Sequence, residues 1–302
     1  MTSRIRASHR GFTLVELLVV IAIIGILSGL ALVGISRART SVLNSSMKFE
    51  TGQISQALEL YKEKHGALPP DGNTAVTTDA TKRATAFSRH LNKMFPQRNP
   101  SLDTPTTTNM SNLANSYNLV NPSPTSATPY QLSDIDPSEG FVLCLMGFSP
   151  NVEQPLTGTG ERTPLFQFDQ TRLVDPDGDG WWSYKARYCE SEYVYFNANT
   201  YTDGSSVVAS FTPNIASGTA RPYGMILNNN PVWASPKTFQ LMLAGLDDSF
   251  GDGFSKTDQM KIYPSGVQDT TNAPTSINYS LQDMDNIVSF GQASTLESDT
   301  DL

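Results

Sequence analysis

Hydrophobic and polar positions change rhythm twice along this chain. From Leu17 to Ser36, twenty residues pass without a charge, rich in Leu, Ile and Val. At about 1.5 Å per residue, a helix of that length crosses the ~30 Å hydrocarbon layer of a bilayer. After Arg37 the apolar residues become periodic. Leu43, Met47, Ile54, Leu58 and Tyr61 fall on one helical face, while Lys48, Glu50, Gln53, Glu59, Lys62 and Glu63 are polar. Gly66 and the pair Pro69-Pro70 end the pattern. The sequence predicts one long helix, its first half in a membrane and its second half the spine of an exported domain.

From Asp71 to about Glu139 the composition turns to Thr, Ser, Asn and Pro, with one amphipathic stretch over Ala84 to Phe95 that reads as a helix. This region, about 71–139, is an elaborated surface insertion or a flexible linker. Strand-like runs follow at Gly140 to Phe148, Tyr193 to Asn197, Ser206 to Phe211 and Tyr223 to Leu227, parted by Pro, Gly and Asn turns. The expected fold class is α+β, a long N-terminal helix packed on a small antiparallel β-sheet.

Charge orients the anchor. Arg4, Arg6 and Arg10 precede the apolar run with no acid among the first eleven residues, which places the N-terminus in the cytoplasm and the domain after Arg37 outside. An ordinary secretory signal is the rival reading, but the run is long for an h-region and Ser36-Arg37-Ala38-Arg39 offers no A-x-A cleavage pattern. The chain carries −8 overall; removing the three leader arginines leaves −11, which argues against nucleic acid as a partner. His9, His65 and His90 stand far from Cys144 and Cys189, so no zinc spacing exists, and no phosphate-loop, dinucleotide or hydrolase motif occurs. The short match Ser45-x-x-Lys48 lies on the helix and arises easily by chance.

Glu16 is out of place, an acid directly before the membrane span, where a charge costs up to ~3 kcal/mol without a partner. Its surroundings, Arg10-Gly11-Phe12-Thr13-Leu14-Val15-Glu16 followed by Leu17-Leu18-Val19-Val20-Ile21-Ala22-Ile23-Ile24, resemble the class III signal of type IV pilins and type II secretion pseudopilins. The resemblance implies that a membrane aspartyl protease cuts between Gly11 and Phe12 and methylates the new terminus at Phe12. It also implies that Glu16 pairs with the Phe12 ammonium of a neighbouring subunit, two charges neutralising one another in an apolar filament core; a Glu that snorkels to the interface is the plainer reading. Gly25-x-x-x-Gly29 lets helices approach closely. Val33, before Gly34, stands about where many relatives have a proline. The helix end Tyr61-Lys62-Glu63-Lys64-His65-Gly66-Ala67-Leu68-Pro69 resembles major pseudopilins as well.

Two acidic loops carry candidate metal chemistry. Asp175, Asp177 and Asp179, with Gly178 and Gly180, form the first half of an EF-hand calcium loop; the twelfth position is Ala186, and Glu190 or Glu192 would have to close the shell. The second loop, Leu243 to Gly253 with Asp258 and Asp283-Met284-Asp285-Asn286-Ile287 further on, resembles the calcium loop of major pseudopilins. That likeness implies a Leu243 carbonyl and the carboxylates of Asp247, Asp252 and Asp285 as ligands of a structural calcium. Export permits a disulfide between Cys144 and Cys189, the alternative being two buried thiols. Trp181 and Trp182 are expected in core or turn packing.

These readings divide the chain into a leader peptide (1–11), a membrane half-helix (12–37), an exported half-helix (38–66) and a pilin-like globular domain (67–302). The expected function is a structural subunit of a type II secretion pseudopilus or type IV pilus-like filament, with no enzymatic activity. Expected partners are further copies, other pseudopilins, the prepilin peptidase, an inner-membrane assembly platform and membrane lipid. The expected location is the bacterial inner membrane, single-pass, with the C-terminal domain periplasmic or extracellular. The alternative is a membrane-anchored adhesin or substrate receptor that uses the signal for targeting; an anchored enzyme ranks third.

Overall fold

The structure, a computed structural model, describes residues 13–73, 79–116, 124–202, 207–227, 230–251, 260–263 and 281–299. Contacts divide the chain into two compact units, Met1–Leu43 and Asn44–Leu302. Helix α1 (Leu14–His65) contributes to both. In the first unit it is exposed throughout its described length up to Val42. In the second, Asn44, Met47, Glu50, Thr51, Ile54, Ala57, Leu58 and Tyr61 are buried, steps of three and one that make a single stripe. Gly66 ends the helix in the left-handed region, φ 75°, its N–H donating to Lys62 O at 2.7 Å.

The buried stripe contains a residue that the sequence pattern places among the polar ones. Glu50 accepts from Arg172 Nη1 at 2.9 Å, Tyr193 OH at 3.0 Å and Tyr184 OH at 3.3 Å, and Arg172 Nη2 bonds it as well. It is tolerated in the core because every approach to the carboxylate carries a donor. Lys48 is also turned inward, donating to Val288 O and Gly291 O at 2.6 and 2.5 Å, while Ser45 is exposed. The Ser-x-x-Lys match is thus a helix tie to the C-terminal segment.

The region 71–139 is neither a linker nor a purely surface feature where it is described. Helix α2 (Ala80–Met94) starts where the Asp79 carboxylate accepts Thr81 N and Lys82 N, and it buries Phe87, His90 and Leu91. His90 Nε2 meets Tyr61 OH of α1 at 2.8 Å. Helix α3 (Thr107–Ser116) adds Met110, Leu113 and Ala114 to the same core.

The run expected as a strand over Gly140 to Phe148 begins instead as helix α4 (Gly140–Leu145), buried at every position. An apolar run of this length has no period that separates strand from helix. The turn before it decides. Asp136 Oδ1 accepts Ser138 N at 2.7 Å, Glu139 Oε2 accepts Asp136 N at 3.1 Å and Asp136 O accepts Gly140 N at 3.1 Å, so the chain enters the run already wound into a turn.

Among the described residues, three small sheets stand where a single one was expected. Strands β1 (Leu173–Val174) and β2 (Ser183–Tyr184) pair antiparallel. Strands β3 (Val194–Asn197), β6 (Phe239–Leu243) and β8 (Ile287–Val288) form an antiparallel sheet in the order β3-β6-β8. Strands β4 (Tyr223–Leu227), β5 (Asn230–Trp233) and β7 (Lys261–Tyr263) form the third, in which β4 and β7 run parallel. Within the stretch Ser206 to Phe211 the described residues make only isolated bridges, Thr202↔Val208 and Phe211↔Ala220. The architecture is α+β, a long apolar N-terminal helix with small sheets. Trp181 and Trp182 are buried in the core shared by α1, α2 and α4, Trp181 Nε1 donating to Gln131 O.

The two cysteines are free, buried thiols, which corrects the expected disulfide. Cys144 lies against Tyr61, whereas Cys189 Sγ lies 3.9 Å from Met47 Sδ. Their contacts on α1 are fourteen residues apart, about 21 Å of helix, against the ~5.5 Å between Cα atoms that a disulfide spans. Burial pushes both thiols up to about 12.

Candidate functional site

The N-terminal end of α1 is built around Glu16. Its Oε2 accepts from Thr13 N and from Thr13 Oγ1, both at 2.8 Å, and its own N–H donates to Thr13 Oγ1 at 3.2 Å. This is a capping box, which gives the acid a local reason to stand before an apolar run. Both bonds to the carboxylate fall on Oε2, and Oε1 takes part in neither. Gly11 and Phe12 lie outside the described residues.

Fifteen large apolar side chains from Leu14 to Ile35 are exposed on α1, and the helix is long and apolar enough to cross a membrane. At roughly 1.5 kcal/mol or more for each such side chain, leaving them in water outweighs the ~5–15 kcal/mol by which a domain is stable. Lipid or other helices must cover them. Gly25, Gly29 and Gly34 have open space where a Cβ would stand, so a neighbouring backbone meets no obstacle there.

The first acidic loop is closed by residues that sequence reasoning missed. Asp175 accepts Gly178 N at 2.9 Å through Oδ1 and Gly180 N at 3.1 Å through Oδ2, and Asp179 Oδ1 accepts Trp181 N at 2.9 Å. Gly180 sits at φ 100° with the Tyr130 ring where a Cβ would go. Single carboxylate oxygens of Asp175, Asp177 and Asp179 gather within 4.8 Å of one another, and those of Asp136, Glu139 and Asp177 do likewise. Burial, and then the neighbouring acids, raise Glu139 well above the usual carboxylate range; burial raises Asp136 too. Burial also pushes Asp175 up to about 6 and Asp179 to about 7.

Glu190 and Glu192 do not close this loop. Glu190 is exposed and paired with Lys185, and Glu192 Oε1 accepts Asn214 N at 2.9 Å. The run Ser133-Asp134-Ile135-Asp136-Pro137-Ser138-Glu139 carried the missing signal, acids three apart at a helix start, some forty residues upstream of the loop.

In the second loop the structure brings together Asp247 and Asp285. Asp285 Oδ2 accepts Leu246 N at 2.8 Å and Asp247 N at 3.2 Å, while its Oδ1 is buried without a hydrogen-bond partner. Gly245, at φ 74°, permits this approach, because a Cβ there would stand 2.5 Å from Asp285 O. Burial and the Asp247 charge push Asp285 up to about 6. Leu243 lies in β6, opposite Ile287 of β8. Asp252 and Asp258 lie outside the described residues. The orphaned oxygen and the facing acid fit the hard cation that the resemblance implies.

Residues 6–32 match the family model for the prokaryotic N-terminal methylation motif. This stretch holds Gly11, Phe12 and Glu16, and the chain carries the prepilin-type signal of type IV pilins and pseudopilins. The signal and the apolar N-terminal helix fit a single-pass membrane anchor. Comparison with curated proteins and with solved structures gives no match.

Proposed function

We propose that this chain is a structural subunit of a pilus-like filament, a type II secretion pseudopilus or a type IV pilus-like fibre. The observation that carries the reading is the prepilin-type signal placed directly on an exposed apolar helix, with Glu16 at the junction. Prepilin peptidase cuts after Gly11 and methylates Phe12. The mature helix is held in the inner membrane with the domain from Asn44 on the outer side, until an assembly platform moves it into a filament of further copies and other pseudopilins. There the apolar face of α1 exchanges lipid for neighbouring helices, with Gly25 and Gly29 at close contacts.

Glu16 serves twice in this scheme. Oε2 stays on the Thr13 cap, and Oε1 receives the Phe12 ammonium of a neighbour, so the acid that starts one helix fixes the register of the next. The role is structural rather than catalytic, and calcium held by Asp247 and Asp285 would brace the domain. The region 71–139 lends no separate support to a binding module, since α2 and α3 share the core of α1.

Carbodiimide coupling tests the pairing, because it joins a carboxylate to an amine only when the two touch. Treated membranes or filaments are expected to yield dimers and higher multimers whose digests contain the Phe12 amine linked to Glu16 of a second copy. Monomers alone, at chain densities where filaments form, would sink this reading.

A further inference from the structure

We infer that Asp136, Glu139 and Asp177, together with Asp175 and Asp179, form a binding site for a calcium ion between the turn that starts α4 and the loop before β2. One oxygen from each of Asp136, Glu139 and Asp177 lies within 4.8 Å of the others, and Asp177 belongs equally to the group with Asp175 and Asp179. Two separate stretches of chain therefore converge on one exposed carboxylate.

Convergence of acids is common without an ion; the unpartnered oxygens are not. Glu139 is 1% exposed and Asp179 7%. Glu139 Oε1 and Asp179 Oδ2 are buried without any hydrogen-bond partner, although the second oxygen of each is satisfied, by Asp136 N and Trp181 N. A buried carboxylate oxygen left alone costs several kcal/mol unless a proton or a cation meets it. None of the ion pairs among the described residues involves these five acids, so no lysine or arginine supplies the missing charge there.

The donors are all hard oxygens, on a backbone already pinned. The Asp175 carboxylate holds the Gly178 and Gly180 amides, and Gly178 O accepts from Thr125 N and Ser126 N. Carboxylates at several depths, with an open side at Asp177, suit the six to eight irregular ligands of calcium better than the strict octahedron of magnesium. The ion would tie the segment 125–139 to the loop 175–180, so that the region 71–139 is clamped to the rest of the domain. This site does not depend on the filament reading.

The test is a calorimetric titration of calcium chloride into the full chain, extracted in detergent and freed of metal by a chelator. The background is Asp285→Asn, so that the second acidic loop does not contribute. Binding is expected with a Kd on the order of 10⁻⁵–10⁻³ M, the range of extracellular calcium modules and weak sensors. Adding Asp177→Asn is expected to weaken it at least tenfold with an unchanged circular dichroism spectrum, since Asp177 is exposed. Glu139→Gln is expected to weaken it likewise. An Asp285→Asn chain that binds no calcium, an affinity indifferent to Asp177→Asn, or a preference for magnesium over calcium would each overturn the assignment.

Discussion

Replacing Glu16 with alanine is expected to remove the chain from filaments, with at least a tenfold fall in the sheared or pelleted polymer, while the exported domain keeps its circular dichroism and its melting point. Glu16 has two jobs, so alanine alone does not separate them. Glutamine does. Its carbonyl oxygen still accepts Thr13 N and Thr13 Oγ1, which keeps the cap, but it carries no charge for a neighbour's ammonium. Thr13→Val makes the converse change, removing the hydroxyl and leaving the carboxylate. In an apolar helix bundle an unpaired ammonium is expensive, whereas a frayed first turn is not. Glu16→Gln is therefore expected to fail in assembly like alanine, and Thr13→Val to assemble. The opposite ranking would mean that Glu16 is there to start the helix. Filament yield on a density gradient, against total chain by immunoblot, reads both variants.

The second large effect is on stability. Glu50→Ala leaves the Arg172 guanidinium, whose side chain is 12% exposed, with only the half-exposed Asp169 carboxylate at 3.5 Å, and strips Tyr193 OH and Tyr184 OH of their acceptor. Breaking a buried pair from one side costs about 3–5 kcal/mol, most of it the stranded charge. For a domain of this size that lowers the melting temperature by roughly 10 °C. Glu50→Gln retains acceptor and shape and is expected to fall between. Glu59→Ala is the control, because its pair with Lys62 is exposed on both sides and an exposed pair contributes little. Thermal unfolding of the detergent-extracted full chain checks the series. Equal melting points for Glu50→Ala and Glu59→Ala would show that the Glu50 cluster does not hold α1 to the domain.

How much of this was legible in the sequence follows from where each signal lies. Both ends of α1 are local: twenty uncharged residues after Glu16 and a glycine before two prolines leave little room for another element. The stripe Met47, Ile54, Leu58 and Tyr61 is local too. Glu50 shares their face, but its burial depends on Arg172, Tyr184 and Tyr193, more than 120 residues away, and no window on α1 reveals them. Helix α4 looks like a strand in the sequence because six buried apolar residues carry no period, and the turn from Asp136 to Glu139 that winds the chain lies outside the run itself. Strand pairing was the least legible, since the parallel contact of β4 with β7 joins segments nearly forty residues apart in sequence.

The candidate sites divide in the same way. The prepilin-type signal is contiguous, so its seven residues from Arg10 to Glu16 are legible without the fold. Asp175, Asp177 and Asp179 are close in sequence as well and legible there, but the acids that gather with them do not lie forward, at Glu190 and Glu192. The fold brings Asp136 and Glu139 from behind. The cysteines show the limit of spacing arguments. Their separation in sequence permits a bridge, yet Tyr61 and Met47 hold them about four turns apart along one helix.

Processing tests the filament account most directly. Intact mass and N-terminal sequencing of the membrane-extracted chain, with and without co-expressed prepilin peptidase, read it in one experiment. A filament subunit is expected to begin at Phe12 and be one methyl group heavier when the peptidase is present, and to keep an uncut Met1 start when it is absent. An uncut chain in the presence of active peptidase would contradict this role.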